Sequence, residues 1–148
     1  MATEWTELLG DTLRTKEGSK PTKEVLAGKK VVGLYFSAHW CGPCRGFTPV
    51  LSTTYEEMVE EHPEFELVFV SSDHNAQAFD DYFAEMPFIA LPFESREIQD
   101  DLNRKYDVSG IPTLVFLNDE DEIITFDGRG LVARANGDIE SLWHELTK

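Results

Sequence analysis

The pair Cys41 and Cys44, set in the run Tyr35–Pro49 (YFSAHWCGPCRGFTP), limits the possible folds more than any other stretch. Before it, Val31 to Phe36 is an almost unbroken apolar run with β-branched and aromatic residues. Such a run predicts a strand buried on both faces, as inside a parallel sheet. After it, Phe47, Val50, Leu51, Tyr55, Met58 and Val59 recur at helical spacing, predicting a helix from Pro43 to about Glu61. Pro43 suits a first helical turn, where its missing N–H is no loss. Pro49 lies inside the helix and should kink it. The two thiols therefore fall where a buried strand hands over to a helix N-terminus.

That position has chemical consequences. The unpaired N–H groups and the positive dipole end of a helix favour an anion, so Cys41 is expected to hold a thiolate readily. Cys44, one turn further in, is expected to be more buried and to keep its proton. The pair then supports a cycle in which Cys41 attacks a disulfide and Cys44 resolves the mixed disulfide. Gly42 and Pro43 fix the turn so that the sulfurs can bond. A metal site is the competing reading. His39, Cys41 and Cys44 supply three soft ligands where a structural zinc site needs four, and His62, His74 and His144 are distant in sequence. No metal is expected. These are the chain's two cysteines, too few for a secreted disulfide scaffold.

The remainder alternates between strand and helix signals. Residues 1–29 predict a short helix or turn and a hairpin. Leu67 to Ser71 reads as a second buried strand. Asn75 to Glu85 reads as a helix with Phe79, Tyr82 and Phe83 inward, and Pro87 to Phe93 as apolar and irregular. Ser95 is expected to cap a helix to Tyr106, with Ile98, Leu102 and Tyr106 on one face. Thr113–Leu117 and Ile123–Phe126 form a hairpin around an acidic turn. Asp138 to Leu146 closes as an amphipathic helix with Ile139, Leu142, Trp143 and Leu146 inward. Phe36, Phe69, Phe116 and Trp143 are read as core. This order predicts an α/β fold: a central mixed sheet with helices on both faces. At 148 residues, one domain over 1–148 is expected.

Charge narrows the partners. The net charge is −15, which disfavours nucleic acid and anionic membranes. Up to Thr48 the chain has seven basic and five acidic residues; the remainder has six basic and 23 acidic. The acidic part reads as a solvated surface, and the less negative end as one open to anionic partners. No apolar run approaches the roughly 18 residues of a membrane span. Met1–Gly10 lacks a leader pattern. A cytoplasmic protein is expected.

The motifs together resemble the thioredoxin superfamily, and more closely its tryparedoxin and nucleoredoxin branch. The resemblance covers about residues 25–135. Tyr35–Pro49 carries it, with Pro49 where thioredoxins kink the active-site helix. So do Met86–Phe93 (MPFIALPF), similar to a branch-specific segment, and Ile111-Pro112-Thr113, similar to the cis-proline loop facing the cysteines. The long stretch before Pro112 implies a helical insertion that plain thioredoxins lack. What the resemblance implies is a protein-disulfide reductase, an electron carrier whose redox centre is Cys41–Cys44, with no separate cofactor.

It also implies supporting residues. Trp40 should shield the thiolate and offer a contact platform, while Ile111 beside a cis Pro112 should pair with substrate backbone. Tyr35 stands where thioredoxins have a buried aspartate; a phenol is a poor base at neutral pH and a plausible hydrogen-bond donor. Asp73 and Arg129 match an acidic residue and an arginine that approach the active site in tryparedoxins; their bland alternatives are a helix cap and a surface cation. Gly42 departs from the branch's usual proline, and Ser72 from its usual tryptophan. His39 should be exposed near the thiolate. Implied partners are disulfide-containing proteins such as peroxidases, and an upstream dithiol reductant or reductase; a monomer is expected. A redox-sensing binding module is the alternative, and a disulfide-forming or isomerising catalyst a third reading.

Overall fold

The computed structural model describes residues 5–148; residues 1–4 of the first predicted segment lie outside them. In chain order the elements are α1 (Trp5–Leu9), β1 (Thr12–Thr15), β2 (Gly18–Pro21), α2 (Thr22–Val25), β3 (Val31–Ser37), α3 (Gly42–Glu61) and β4 (Phe65–Ser71). Then follow α4 (Ala76–Phe83), β5 (Ile89–Ala90), α5 (Arg96–Lys105), β6 (Thr113–Asn118), β7 (Ile123–Thr125), α6 (Gly128–Ala135) and α7 (Ile139–Thr147). The strands form one sheet in the order β2-β1-β5-β4-β3-β6-β7. β3 runs parallel to β4 and antiparallel to β6, so the sheet is mixed as expected.

Every residue of β3 and β4 is buried, which is why their sequences read as continuous apolar runs. Alternate residues serve two cores. Val31 and Tyr35 face a cluster with Leu51, Tyr55 and Met58 of α3, Phe79 and Tyr82 of α4, and Leu142 and Leu146 of α7. Val32, Leu34 and Phe36 face a second cluster with Trp5 and Leu9 of α1 and Leu102 of α5. The two central strands thus project their side chains to both layers, and their shared C-terminal end is where the chain must turn. Gly33, near the start of β3, is closely packed: a Cβ would stand 2.4 Å from Leu67 Cδ2 and 3.0 Å from the Phe116 ring, so the Leu67 side chain would have to shift.

Several expectations need correction. Ser95 occupies the N-cap of α5, yet its side chain makes no capping bond. Asn75, Asp127 and Asp138 do cap their helices, each accepting a backbone N–H. Val50 keeps helical spacing but is exposed, because α3 buries the stripe through Leu51, Tyr55 and Met58 instead. Trp143 packs against the core from its edge, half-buried, and stacks on His62 at 4.3 Å. The segment read as irregular contributes β5, whose two residues continue the sheet beside β4. Helix α6 went unread, because Gly128 and Gly130 obscure its apolar side, formed by Leu131, Val132 and Ala135. No described helix is long and apolar enough to cross a membrane.

Candidate active site

The dithiol sits at the hand-over from β3 to α3. Cys41 is itself the N-cap of α3: its backbone is extended, and its Sγ accepts the Cys44 N–H at 3.3 Å. The sulfur thus occupies the place where a Ser or Asp oxygen usually satisfies a free helix donor. Both cysteines are free thiols. Cys41 is 7% exposed, less open than the sequence suggested, and Cys44 is fully enclosed. Gly42 and Pro43 form the exposed first turn of α3 between them. Across from Cys41 the Ile111–Pro112 peptide is cis, as expected, and the Ile111 carbonyl lies 3.8 Å from Cys41 Sγ. One carbonyl and one helix terminus therefore meet at one sulfur.

Cys44 has different surroundings. Burial, and then its contact with Cys41, pushes its thiol up to about 11, while a hydrogen bond from Ser37 works against that rise. Tyr35 does not reach for sulfur. Its hydroxyl lies 3.3 Å from the Cys44 carbonyl and 2.7 Å from Thr48 Oγ1. Burial raises the Tyr35 phenol further, so it is no base at neutral pH. Thr48 Oγ1 also lies 2.6 Å from the Tyr82 hydroxyl, which lies 2.7 Å from Ser37 Oγ. Sequence reading missed Ser37, Thr48 and Tyr82 as site residues. The signal was weak: polar atoms within runs otherwise buried.

The exit of β4 braces the cysteine loop. Asp73 is buried; Oδ1 accepts the His39 backbone N–H at 2.8 Å, and Oδ2 accepts the Ser71 hydroxyl at 2.7 Å. It is not the cap of α4, since Asn75 holds that position. The Ser72 carbonyl accepts the Trp40 indole N–H at 3.1 Å, and the indole, 56% exposed, stacks on His74 at 5.7 Å. His39 is half-buried rather than exposed and stacks on Tyr82 at 5.4 Å. Arg96, also unforeseen, donates to the Ser71 carbonyl at 3.2 Å and to the Phe93 carbonyl at 2.6 Å, tying α5 to this exit. Arg129 is not a loose surface cation. It donates to the Pro112 carbonyl at 3.4 Å and lies 5.7 Å over the Phe47 ring. All ten residues singled out from the sequence converge on one end of the sheet.

A family model described as thioredoxin-like matches residues 28–123. The nucleoredoxin of Mus musculus is 41% identical over 143 residues, spanning 86% of this chain and 33% of its own. The chain therefore spans about a third of the length of the curated nucleoredoxins that it matches. Native tryparedoxin I from Crithidia fasciculata superposes with a TM-score of 0.83 at 36% identity, over 91% of this chain and 94% of that one. A thioredoxin from Wuchereria bancrofti gives a TM-score of 0.78 at 42% identity, over 93% and 96% respectively. Family match, fold and dithiol coincide on one stretch of sequence, and the chain belongs to the thioredoxin-like family.

Proposed function

We propose that the protein reduces disulfides in other proteins, cycling electrons through Cys41 and Cys44. The observation that carries this is the contrast at the head of α3: Cys41 Sγ caps the helix and faces the Ile111 carbonyl, while Cys44 waits enclosed one turn behind. In the first step Cys41 thiolate attacks one substrate sulfur. The substrate S–S bond breaks, a Cys41–substrate bond forms, and the electron pair leaves on the second substrate sulfur. Cys44 then attacks Cys41 Sγ. The Cys41–substrate bond breaks, the Cys41–Cys44 bond forms, and the Cys44 proton ends on the released substrate thiol. The substrate gains two electrons and two protons, and an upstream dithiol reductant or reductase restores them to the protein.

Roles follow from position. Trp40 offers its exposed indole face to the partner, held in orientation by Ser72 and His74. The Ile111 backbone is placed to pair with an extended substrate segment. Asp73 and Arg129 hold the two loops between which substrate enters, and Tyr35 fixes the first turn of α3. Disulfide-bonded peroxidases are fitting partners, as are other proteins with an exposed disulfide. A reducing compartment such as the cytoplasm suits free thiols. A monomer suffices, since both cysteines and the Ile111 loop belong to one chain.

The test is insulin disulfide reduction with NADPH consumption followed under three donor systems: thioredoxin reductase, glutathione with its reductase, and trypanothione with its reductase. Fast turnover with one donor supports the reductase and names its supply. No turnover with any of them, while dithiothreitol still reduces Cys41–Cys44, moves the reading to a redox-sensing binding module.

A further inference from the structure

Four buried hydroxyls are joined in one hydrogen-bonded chain beside Cys44. Ser37, the last residue of β3, lies beside the thiol and 2.7 Å from Tyr82 of α4. Tyr82 lies 2.6 Å from Thr48 of α3, and Thr48 2.7 Å from Tyr35 of β3. Thr48 can also donate to the Cys44 carbonyl at 2.9 Å. Ser37, Tyr82, Thr48 and Tyr35 are all buried, so water does not complete their bonding.

Counting donors gives two complete arrangements. A hydroxyl donates one hydrogen and accepts up to two. With Cys44 as a thiol, S–H donates to Ser37, Ser37 to Tyr82, Tyr82 to Thr48, and Thr48 to the Cys44 carbonyl; Tyr35 donates to Thr48 as well. With Cys44 as a thiolate, Tyr35 donates to Thr48, Thr48 to Tyr82, Tyr82 to Ser37, and Ser37 to the sulfur. Every hydroxyl–hydroxyl contact carries a hydrogen in both arrangements. The Cys44 carbonyl, released by Thr48 in the second, keeps its place in the helix ladder. Three hydroxyls rotate, no proton travels along the chain, and the proton that Cys44 gives up passes to the departing substrate sulfur.

We propose that Ser37, Tyr82, Thr48 and Tyr35 are a reversible hydrogen-bond relay that solvates the Cys44 sulfur as it becomes the attacking thiolate. The proposal deepens the reading above and rests on Cys44 as the resolving thiol. Ser37 acts on the reacting atom; Tyr82, Thr48 and Tyr35 are positioning residues. The relay answers a specific need. Cys44 is enclosed, and the groups acting on its thiol are Cys41, Ser37 and the Ala38 backbone, with no carboxylate among them. Hydrogen bonds to a charged group in such a setting are stronger than neutral ones. The titratable groups around Cys44 are Cys41 from its own turn and Tyr35 from β3, with Tyr82 from α4 one hydroxyl further away. His39 stacks on Tyr82, with Glu85 4.0 Å beyond it.

The test uses a dithiobis-nitrobenzoate disulfide and stopped-flow absorbance on the reduced protein. Attack by Cys41 releases a first nitrothiobenzoate; attack by Cys44 on the mixed disulfide releases a second. Tyr82→Phe, Thr48→Val and Ser37→Ala are expected to slow the second phase at pH 7 by about tenfold or more and leave the first phase unchanged. They should also move the Cys44 thiol titration, followed by the NMR shift of its Cβ, to higher pH. Ser37→Thr should restore the second phase. Because the relay acts as one chain, Ser37→Ala with Tyr82→Phe should be no slower than the slower single variant. Unchanged second phases sink the relay alone. So do both phases slowing together, or additive losses, since those mark a distorted site. A wild-type protein without a second phase would instead sink Cys44 as resolver, and the relay with it.

Discussion

The two cysteines are three residues apart, yet their surroundings are built by different means. Cys41 is held by backbone: a helix N–H on one side and the Ile111 carbonyl on the other. Cys44 is held by side chains, with hydroxyls from β3, α3 and α4 gathered around it. The first environment sets the sulfur at the head of α3, against the Ile111 loop. The second keeps a proton until it is needed. A dithiol built from two like environments would have no reason to attack in a fixed order, so the asymmetry is what gives the pair a direction.

The largest effects should come from removing either sulfur. Cys41→Ser is expected to abolish turnover in the insulin assay, and Cys44→Ser to accumulate mixed disulfides visible on non-reducing gels. Surviving activity in the first variant would reverse the assignment. The next effect is a matter of sign. The Cys44 thiol is raised in the folded protein from about 9 to about 11, so the fold binds its proton more tightly than the unfolded chain does. The associated stability is present below about pH 9 and lost as pH rises through 11. About two pH units correspond to roughly 2–3 kcal/mol. Urea melts of the reduced protein should show that loss, and Cys44→Ser should lack it; parallel curves would refute the buried-thiol side of the comparison.

Asp73→Ala tests the brace beneath Cys41. It strips partners from the half-buried His39 N–H and the buried Ser71 hydroxyl, and should cost about 1–3 kcal/mol in thermal unfolding while slowing turnover. Arg96→Gln reaches the same loop from α5 and should cost about 1 kcal/mol, with a smaller fall in turnover. Trp40→Ala should have the smallest effect on the fold, below about 0.5 kcal/mol. It should raise KM for protein substrates several-fold and leave the reaction with a small aromatic disulfide unaltered. Equal effects on both substrates would remove the indole as a docking face.

Much of the Cys41 side was legible in the sequence. The apolar run of β3, the helical period of α3, Pro43 in the first turn and the Ile111-Pro112-Thr113 resemblance placed every part of it. Near Cys44, Tyr35 was singled out but assigned only a generic donor role, and its actual partner is Thr48. Tyr82 passed as an inward helix residue, and Ser37 and Thr48 were not singled out, because a single hydroxyl in an apolar pattern looks the same whether it faces sulfur or solvent-free carbon. Arg96 passed as an ordinary helix residue, since its carbonyl partners lie 25 residues away in β4 for Ser71 and near at hand for Phe93. Helix α6 was lost to its glycines, although Asp127 one residue ahead of it was a usable cap signal.

The amino-acid sequence alone determined the strand, the helix and the thiol at their junction, since capping and periodicity act over a few residues and are written in local spacing. The tertiary structure decided what the second thiol faces. Ser37 and Tyr82 are 45 residues apart, and Thr48 and Tyr82 are 34. They meet because the parallel pairing of β3 with β4 sets the position of the β4 exit, and α4 then packs Phe79 and Tyr82 back against the same core that α3 covers. Contacts of that range depend on register and packing across the whole sheet, which no local pattern encodes.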